Sequence, residues 1–235
     1  MPDIANSLPA WSYSFLDQFA NCPRQAYHRY ILKEKGVETE AQREGNLFDK
    51  AVEDYLLKDT PLPEKYLKFK GYADSLKQAV DVQLYAQLKL GIKRDFTPSD
   101  FFGKEVWGRG VLDVALVKKR SLGNPNVAII TDWKTGKSNE GKPYSNNGLQ
   151  LKIFSLLLFC HFPGVEKITA FNLWLKDMKP GKVYSFVRGD RAALWKEVLP
   201  RIMAMEKAFA TQSWPESPGP LCGYCDVTSC KYNRK

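Results

Sequence analysis

The chain has 235 residues, 44% of them hydrophobic, and carries 35 Lys and Arg against 26 Asp and Glu, a formal net charge of +9. That length suits one domain with a real core, and the basic balance favours a polyanionic partner, nucleic acid above all. No apolar run approaches the roughly 20 residues that span a bilayer. The opening MPDIANSLPAW lacks the regions of a signal peptide, and five cysteines in a chain this long make no disulfide framework, so a reducing cytoplasm is the expected location.

In chain order, residues 12–32 have helical spacing through Phe15, Phe19, Tyr27 and Ile31, with Ser12 or Ser14 as cap and Pro23 dividing two helices. Residues 44–58 and 73–91 read as amphipathic helices, the second ending at Gly91. The period then changes. Residues 104–120 and 126–134 read as strands joined by the turn residues SLGNPN, hence an antiparallel hairpin. A polar loop follows, then an apolar helix over 149–162 and two strands over 167–176 and 182–189, joined near Pro180. A long helix over 189–212, with Pro200 as a kink, leads into a proline- and cysteine-rich tail. These elements predict one domain over 1–235. It has a helical part over 1–100, a core over 101–190 and a closing helix and tail over 191–235. The fold class is α/β, a small central mixed sheet flanked by helices.

The chemistry centres on TDWKTG. Strand alternation puts Asp132 and Lys134 on one face, and the hairpin brings Asp113 of GVLDVAL alongside. Two nearby carboxylates repel unless a cation lies between them, and Mg²⁺ or Mn²⁺ prefers such hard oxygen ligands. A lysine beside them suits charge on a phosphate, so the set points to phosphodiester hydrolysis. A lone D-x-K is more often an ordinary surface pair. Here the apolar VAII before it and the acid inside GVLDVAL argue for a central, partnered site. TDWKTGKS also ends like a phosphate-binding P-loop, but Thr131 replaces the first glycine and bulky residues fill the turn, which excludes that reading.

Cys222, Cys225 and Cys230 lie within nine residues, a density that suggests a soft-metal site needing a fourth ligand. Cys160, inside an apolar helix, reads as core. Four thiolates suit an iron–sulfur cluster or zinc equally. Arg24, His28 and Arg29 with Tyr13 and Tyr27, Lys137, Lys142 and Tyr144 in the polar loop, and Arg188 mix basic and aromatic residues in the way that suits phosphate contact and base stacking.

In their order, these pieces resemble the PD-(D/E)XK nuclease superfamily, in particular its RecB-type branch. That branch includes the RecB and AddB nuclease domains, CRISPR spacer-acquisition nucleases and phage exonucleases. GVLDVAL and IITDWKTGK carry the resemblance, with SYSFLDQFANCPRQAYHRY, EGNLFDKAVEDYL, QLKIF and the cysteine tail around them. It implies a restriction-endonuclease-like core, with Asp113 and Asp132 as metal ligands, the Trp133 carbonyl as a further ligand, Lys134 as the catalytic lysine and Gln150 beside the site. The family's helix histidine is Asp49 here, with Glu53 one turn on as the other candidate. Phe154 stands where the family has tyrosine. The resemblance further implies a [4Fe-4S] cluster on Cys22, Cys222, Cys225 and Cys230, joining the N-terminal helices to the tail, with zinc as the alternative.

The expected function is therefore a Mg²⁺- or Mn²⁺-dependent DNA exonuclease. It would act on single strands or duplex ends in recombination, repair, phage DNA processing or CRISPR adaptation. No membrane role is expected, and a homo-oligomer or a recombination or CRISPR protein is a candidate partner. The alternative is a DNA-binding module with a degraded site and a four-cysteine metal centre.

Overall fold

The computed structural model describes residues 7–34, 36, 38–118, 126–136 and 147–233. The turn at 121–125 and the loop positions Lys137, Lys142 and Tyr144 lie outside these. The chain divides into two compact units.

One unit runs from Thr39 to Leu194 and holds a seven-stranded mixed sheet. Its strands are β1 (Val82–Ile92), β2 (Pro98–Ser99), β3 (Gly108–Lys118), β4 (Asn126–Lys134), β5 (Val165–Trp174), β6 (Lys179–Pro180) and β7 (Tyr184–Val187). The order is β2-β1-β3-β4-β5-β6, with β7 also on β5. Among the described residues only β4 and β5 run parallel, because α5 (Asn147–His161) carries the chain between them. Every other pair is antiparallel. The arrangement is a mixed α/β fold consistent with a restriction-endonuclease-like core.

α5 is apolar almost all round, with Leu151, Ile153, Leu156 and Leu157 at most 1% exposed, and such a helix belongs in a core rather than on a surface. On the sheet's other side, α3 (Glu40–Lys58), a 3₁₀ helix over Glu64–Phe69 and α4 (Lys70–Lys77) bury Phe48, Val52, Phe69 and Ala73 against Val114, Trp133 and Leu173. Trp133 meets Phe48 and Phe69 edge-on, at ring distances of 5.9 and 5.5 Å. Such pairs contribute about 0.5–1.5 kcal/mol each beyond area burial. Thr39 starts α3 with a reciprocal cap: its hydroxyl accepts from the Gln42 amide while the Gln42 side chain accepts from the Thr39 amide.

The helix expected over 73–91 is a correction, and it places strands β1 and β2 inside the part expected to be helical over 1–100. α4 ends at Lys77, Asp81 takes a left-handed φ of 57°, and β1 begins at Val82. Leu76, Val80, Leu84 and Leu88 recur at helical spacing, but Gln83, Tyr85, Gln87 and Lys89 alternate with apolar neighbours at period two. Pairing with β3 along nearly its whole length decides for the strand.

The other unit combines the chain up to Glu38 with residues from Trp195 on. It contains α1 (Tyr13–Asn21), α2 (Pro23–Ala26), a π-turn over Tyr27–Ile31, most of α6 (Arg191–Ala210, with Pro200 inside it) and the tail. Ser12 caps α1, its Oγ accepting from the Phe15 amide at 3.2 Å, and Pro23 opens α2 where its missing N–H costs nothing. Trp11 meets Trp195 edge-on at 6.2 Å, and Trp214 packs on Phe19 and Tyr27. None of the described helices is long and apolar enough to cross a membrane.

Candidate active site

The pairing of β3 with β4 runs from Val117↔Ala128 to Val114↔Thr131 and stops there. β3 keeps its pairing with β1 on both sides of that point, and β4 its pairing with β5 along its whole length. The next step of the register is Asp113 opposite Asp132, so the two acids stand where the strands part. The fork frees backbone groups that a closed ladder would consume. The Trp133 amide takes one such opening and donates to Asp113 Oδ2 at 2.9 Å.

Asp132 is 3% exposed. Lys134 brings its ammonium 2.6 Å from Asp132 Oδ2. Gln150, in the first turn of α5, ties the two together: its Oε1 accepts from Lys134 Nζ at 2.8 Å and its Nε2 donates to Asp132 Oδ1 at 2.9 Å. Adjacent strand residues point to opposite faces, so Trp133 turns toward α3 while Asp132 and Lys134 turn toward α5. The Trp133 indole N–H then donates to Asp49 Oδ1 at 2.7 Å, which holds Asp49 toward the end of β4. Glu53 instead faces Lys50 at 3.4 Å on the helix surface.

All three carboxyls are raised from the ordinary aspartate value. Burial pushes Asp113 well up, and the neighbouring Asp132 and Asp49 push it further. Burial also raises Asp132, with the Lys134 ammonium pulling it back. Asp49 is raised by burial and by Asp132, against the opposing pull of the Trp133 indole and Lys134. Among the described residues, no three His, Cys, Asp or Glu side chains are already gathered closely enough to hold a metal ion. The donor set nevertheless suits a hard divalent cation: three crowded carboxyls that disfavour each other's ionisation, with one ammonium among them.

Two further residues join the site. Gln87 of β1 lies opposite Asp113 in register, at the one interruption of the β1–β3 ladder. Its backbone takes φ 49°, in the left-handed region, and its Nε2 donates to Asp113 Oδ1 at 3.3 Å. Asn172 of β5 pairs with Asp132 in the parallel ladder, is fully buried, and its amide has no hydrogen-bond partner among the described residues. Period-two reading of residues 82–92 as a strand would have shown Gln87 as a polar residue at a strand centre. Asn172 interrupts the apolar run AFNLW and carries the same kind of signal.

Residues 10–116 match the family model of the PD-(D/E)XK nuclease superfamily. The matched segment includes Asp49 and Asp113 and ends before Asp132 and Lys134. No curated protein matches. Among solved structures, the fold is similar to an Eubacterium rectale protein named as an inferred exonuclease, with a TM-score of 0.53, 13% identity, and coverage of 93% of this chain and 88% of that one. It is also similar to SSO0001, with a TM-score of 0.46 and 15% identity, over 98% of this chain and 90% of that one.

In the other unit, Cys22, Cys222, Cys225 and Cys230 line one cavity of about 520 Å³. All four are free thiols. Burial raises the Cys225 thiol, and Cys22 and Cys230 lie close enough to raise it further. The Gly219 amide donates to Cys222 Sγ at 3.3 Å. Four soft donors around one cavity fit a thiolate-bound metal centre in chemistry.

Two of the expected nucleic-acid contacts are corrected. His28 is buried, with Nδ1 held 2.7 Å from Glu34 Oε2. Arg188 donates to the carbonyls of Val165, Phe159 and Phe162, so its guanidinium closes the end of α5 instead of facing a phosphate. Arg24 and Arg29 lie over the rings of Tyr27 and Tyr30.

Proposed function

We propose that this protein is a divalent-metal-dependent nuclease that hydrolyses DNA phosphodiester bonds, in the manner of RecB-type exonucleases. The observation that carries the reading is the fork itself: Asp113, Asp132, Lys134 and Gln150 brought to one point from three elements, with Asp49 approaching from a fourth, α3. Asp113, Asp132 and Asp49 would hold Mg²⁺ or Mn²⁺, with the Trp133 carbonyl as a further ligand. Such a cation supplies Lewis acidity and neutralises charge on the phosphate. Lys134 places a positive charge where charge develops on the phosphate oxygens. Gln150 fixes the lysine and turns Asp132 toward the centre.

The four cysteines would hold a [4Fe-4S] cluster as a structural pin within their own unit, tying Cys22 after α1 to the tail. The match over residues 10–116 and the likeness of fold to a protein named as an inferred exonuclease support the nuclease reading. The test is cleavage of end-labelled single- and double-stranded linear DNA with Mg²⁺ or Mn²⁺, wild type beside Lys134→Ala. Degradation by wild type alone is expected. Intact DNA with both metals, from protein carrying its full complement of cysteine-bound metal, would leave a DNA-binding module instead.

A further inference from the structure

β1 and β3 continue past Asp113 toward the β2 end of the sheet, where an aromatic–cationic cluster stands in solvent. Phe102, in the connection after β2, is 76% exposed. The Phe101 ring packs edge-on against it at 4.9 Å. Two cations from adjacent strands flank the exposed ring: Lys89 of β1, with Nζ 5.7 Å from the Phe102 centroid, and Arg109 of β3, 5.9 Å from Phe102 and 5.0 Å from Phe101. The ladder explains the convergence. Lys89 pairs with Val111 and Gly91 with Arg109, so Lys89 and Arg109 share one sheet face on neighbouring strands. A Cβ on Gly110, between Arg109 and Val111, would meet Leu157 and Phe154 of α5, so Arg109 turns to the face that α5 leaves free.

An exposed aromatic ring with two cations within 6 Å of its centroid combines an apolar face with positive charge. It suits a ligand that is both polyanionic and aromatic. A double helix hides its bases, whereas a single strand offers a base to stack and a phosphate to each cation. Arg109 lies four residues before Asp113 on the same strand, roughly 13 Å at β spacing. A few nucleotides of extended strand cover that span.

We propose that Lys89, Phe101, Phe102 and Arg109 form a binding subsite for single-stranded DNA, in which a base stacks on Phe102 and Lys89 and Arg109 hold the adjoining phosphates. The subsite rests on the nuclease reading for its purpose but not for its test.

Binding of a fluorescein-labelled 20-nucleotide single strand is measured by anisotropy without divalent metal, against a duplex of the same sequence. Phe102→Ala is expected to weaken single-strand binding about tenfold, within the range that loss of one stacked base gives. Duplex binding stays within twofold, and Phe102→Tyr restores the single-strand affinity. Lys89→Ala and Arg109→Ala each reduce the slope of log affinity against log salt by about one contact, while Phe102→Ala leaves that slope unchanged. Single-strand affinity of Phe102→Ala equal to wild type would overturn the proposal. So would equal losses for single strand and duplex. No cleavage occurs under these conditions, so failure of the nuclease reading appears as normal, Phe102-dependent binding together with intact DNA after metal is added. Because Phe102 is exposed, its variants are expected to melt with wild type, which separates lost stacking from lost fold.

Discussion

The Trp133 amide donates to Asp113 Oδ2 across the open end of the β3–β4 hairpin, 2.9 Å away. One residue on either side of that amide are Asp132 and Lys134, so the bond fixes three candidate site positions with one contact. It also holds a carboxylate beside two others in a buried setting, an arrangement that costs stability wherever no cation offsets it.

Asp113→Asn therefore separates stability from activity. Asp113 is raised well above its usual range by burial and by Asp132 and Asp49. A carboxyl raised in the folded state binds its proton more tightly there than in the unfolded chain. Its ionisation then removes stability as pH rises from the unfolded value, about 3.9, to the folded one. The penalty is complete above the folded value. In EDTA at neutral pH, Asp113→Asn should melt higher than wild type by on the order of 1–3 kcal/mol, about 2–4 °C for each kcal/mol. The difference should shrink toward pH 4. Added Mg²⁺ should raise the wild-type melting temperature more than that of the variant. A variant that melts lower than wild type at every pH would show that the carboxyl is stabilised rather than strained.

Gln150 touches both Lys134 and Asp132, its amide oxygen accepting from one and its amide nitrogen donating to the other. On the proposed reading it would act as a positioning residue. Gln150→Leu should lower kcat about 10²-fold with KM within threefold, whereas Lys134→Ala should lower it at least 10²–10³-fold, as loss of a charge-stabilising donor does. Gln150→Glu keeps an acceptor for Lys134 but turns its other oxygen on the Asp132 carboxylate, and should restore little. A change confined to KM in Gln150→Leu would assign the residue to DNA binding instead.

Asp49 and Glu53 lie one turn apart on α3, and only Asp49 turns toward the end of β4, through the Trp133 indole. Glu53 faces Lys50 on the surface. Asp49→Ala should weaken Mn²⁺ binding, read by calorimetry, about 10–100-fold. Glu53→Ala should leave it unchanged and cost less than about 0.5 kcal/mol of stability. Equal losses from both variants would show that the metal draws the helix into a different contact.

Asp132 and Lys134 were legible because a short strand with a period of two has only one way to put both on a face, and SLGNPN made Asp113 their neighbour. The separation of the two strands at Val114↔Thr131 was not legible, since no local pattern reports where a cross-strand register stops. Gln87 was lost with the strand that carries it, because Leu76, Val80, Leu84 and Leu88 satisfy a helical period as well as an alternating one. Asn172 meets Asp132 only through a parallel ladder across a helical crossover, a distance along the chain that no local pattern reports. Asp49 entered through resemblance to a family helix and not through periodicity, which places it on α3 but says nothing of the indole that holds it.

The cysteine cavity gives a prediction independent of catalysis. Protein purified without oxygen should contain iron and acid-labile sulfide and absorb in the visible, and Cys22→Ser should lose all three. Cys160→Ser should keep them, because Cys160 sits in α5 and its thiol is raised by burial. Loss of the cluster should also open the tail to protease, since Cys222, Cys225 and Cys230 lie in short turns with few buried residues. Zinc in place of iron in the wild-type protein would sustain a four-cysteine pin and reject the cluster.

Gln87 carries two effects that substitution can divide. Its left-handed backbone costs roughly 1–2 kcal/mol for a residue with a Cβ, and its side chain reaches Asp113. Gln87→Ala keeps the cost and loses the contact. Gln87→Gly removes both. Glycine should therefore be more stable than alanine at this position by about 1 kcal/mol in urea unfolding, while the two variants share the same reduction in kcat, about tenfold, the lower end for loss of a ligand-orienting contact. Equal stability of the two would mean that the strand relaxes once the side chain is gone. Wild-type kcat in both would reduce Gln87 to an accident of the ladder. A drop in kcat shared by both, with glycine the more stable, would show that the strained turn of β1 exists to deliver the amide to Asp113.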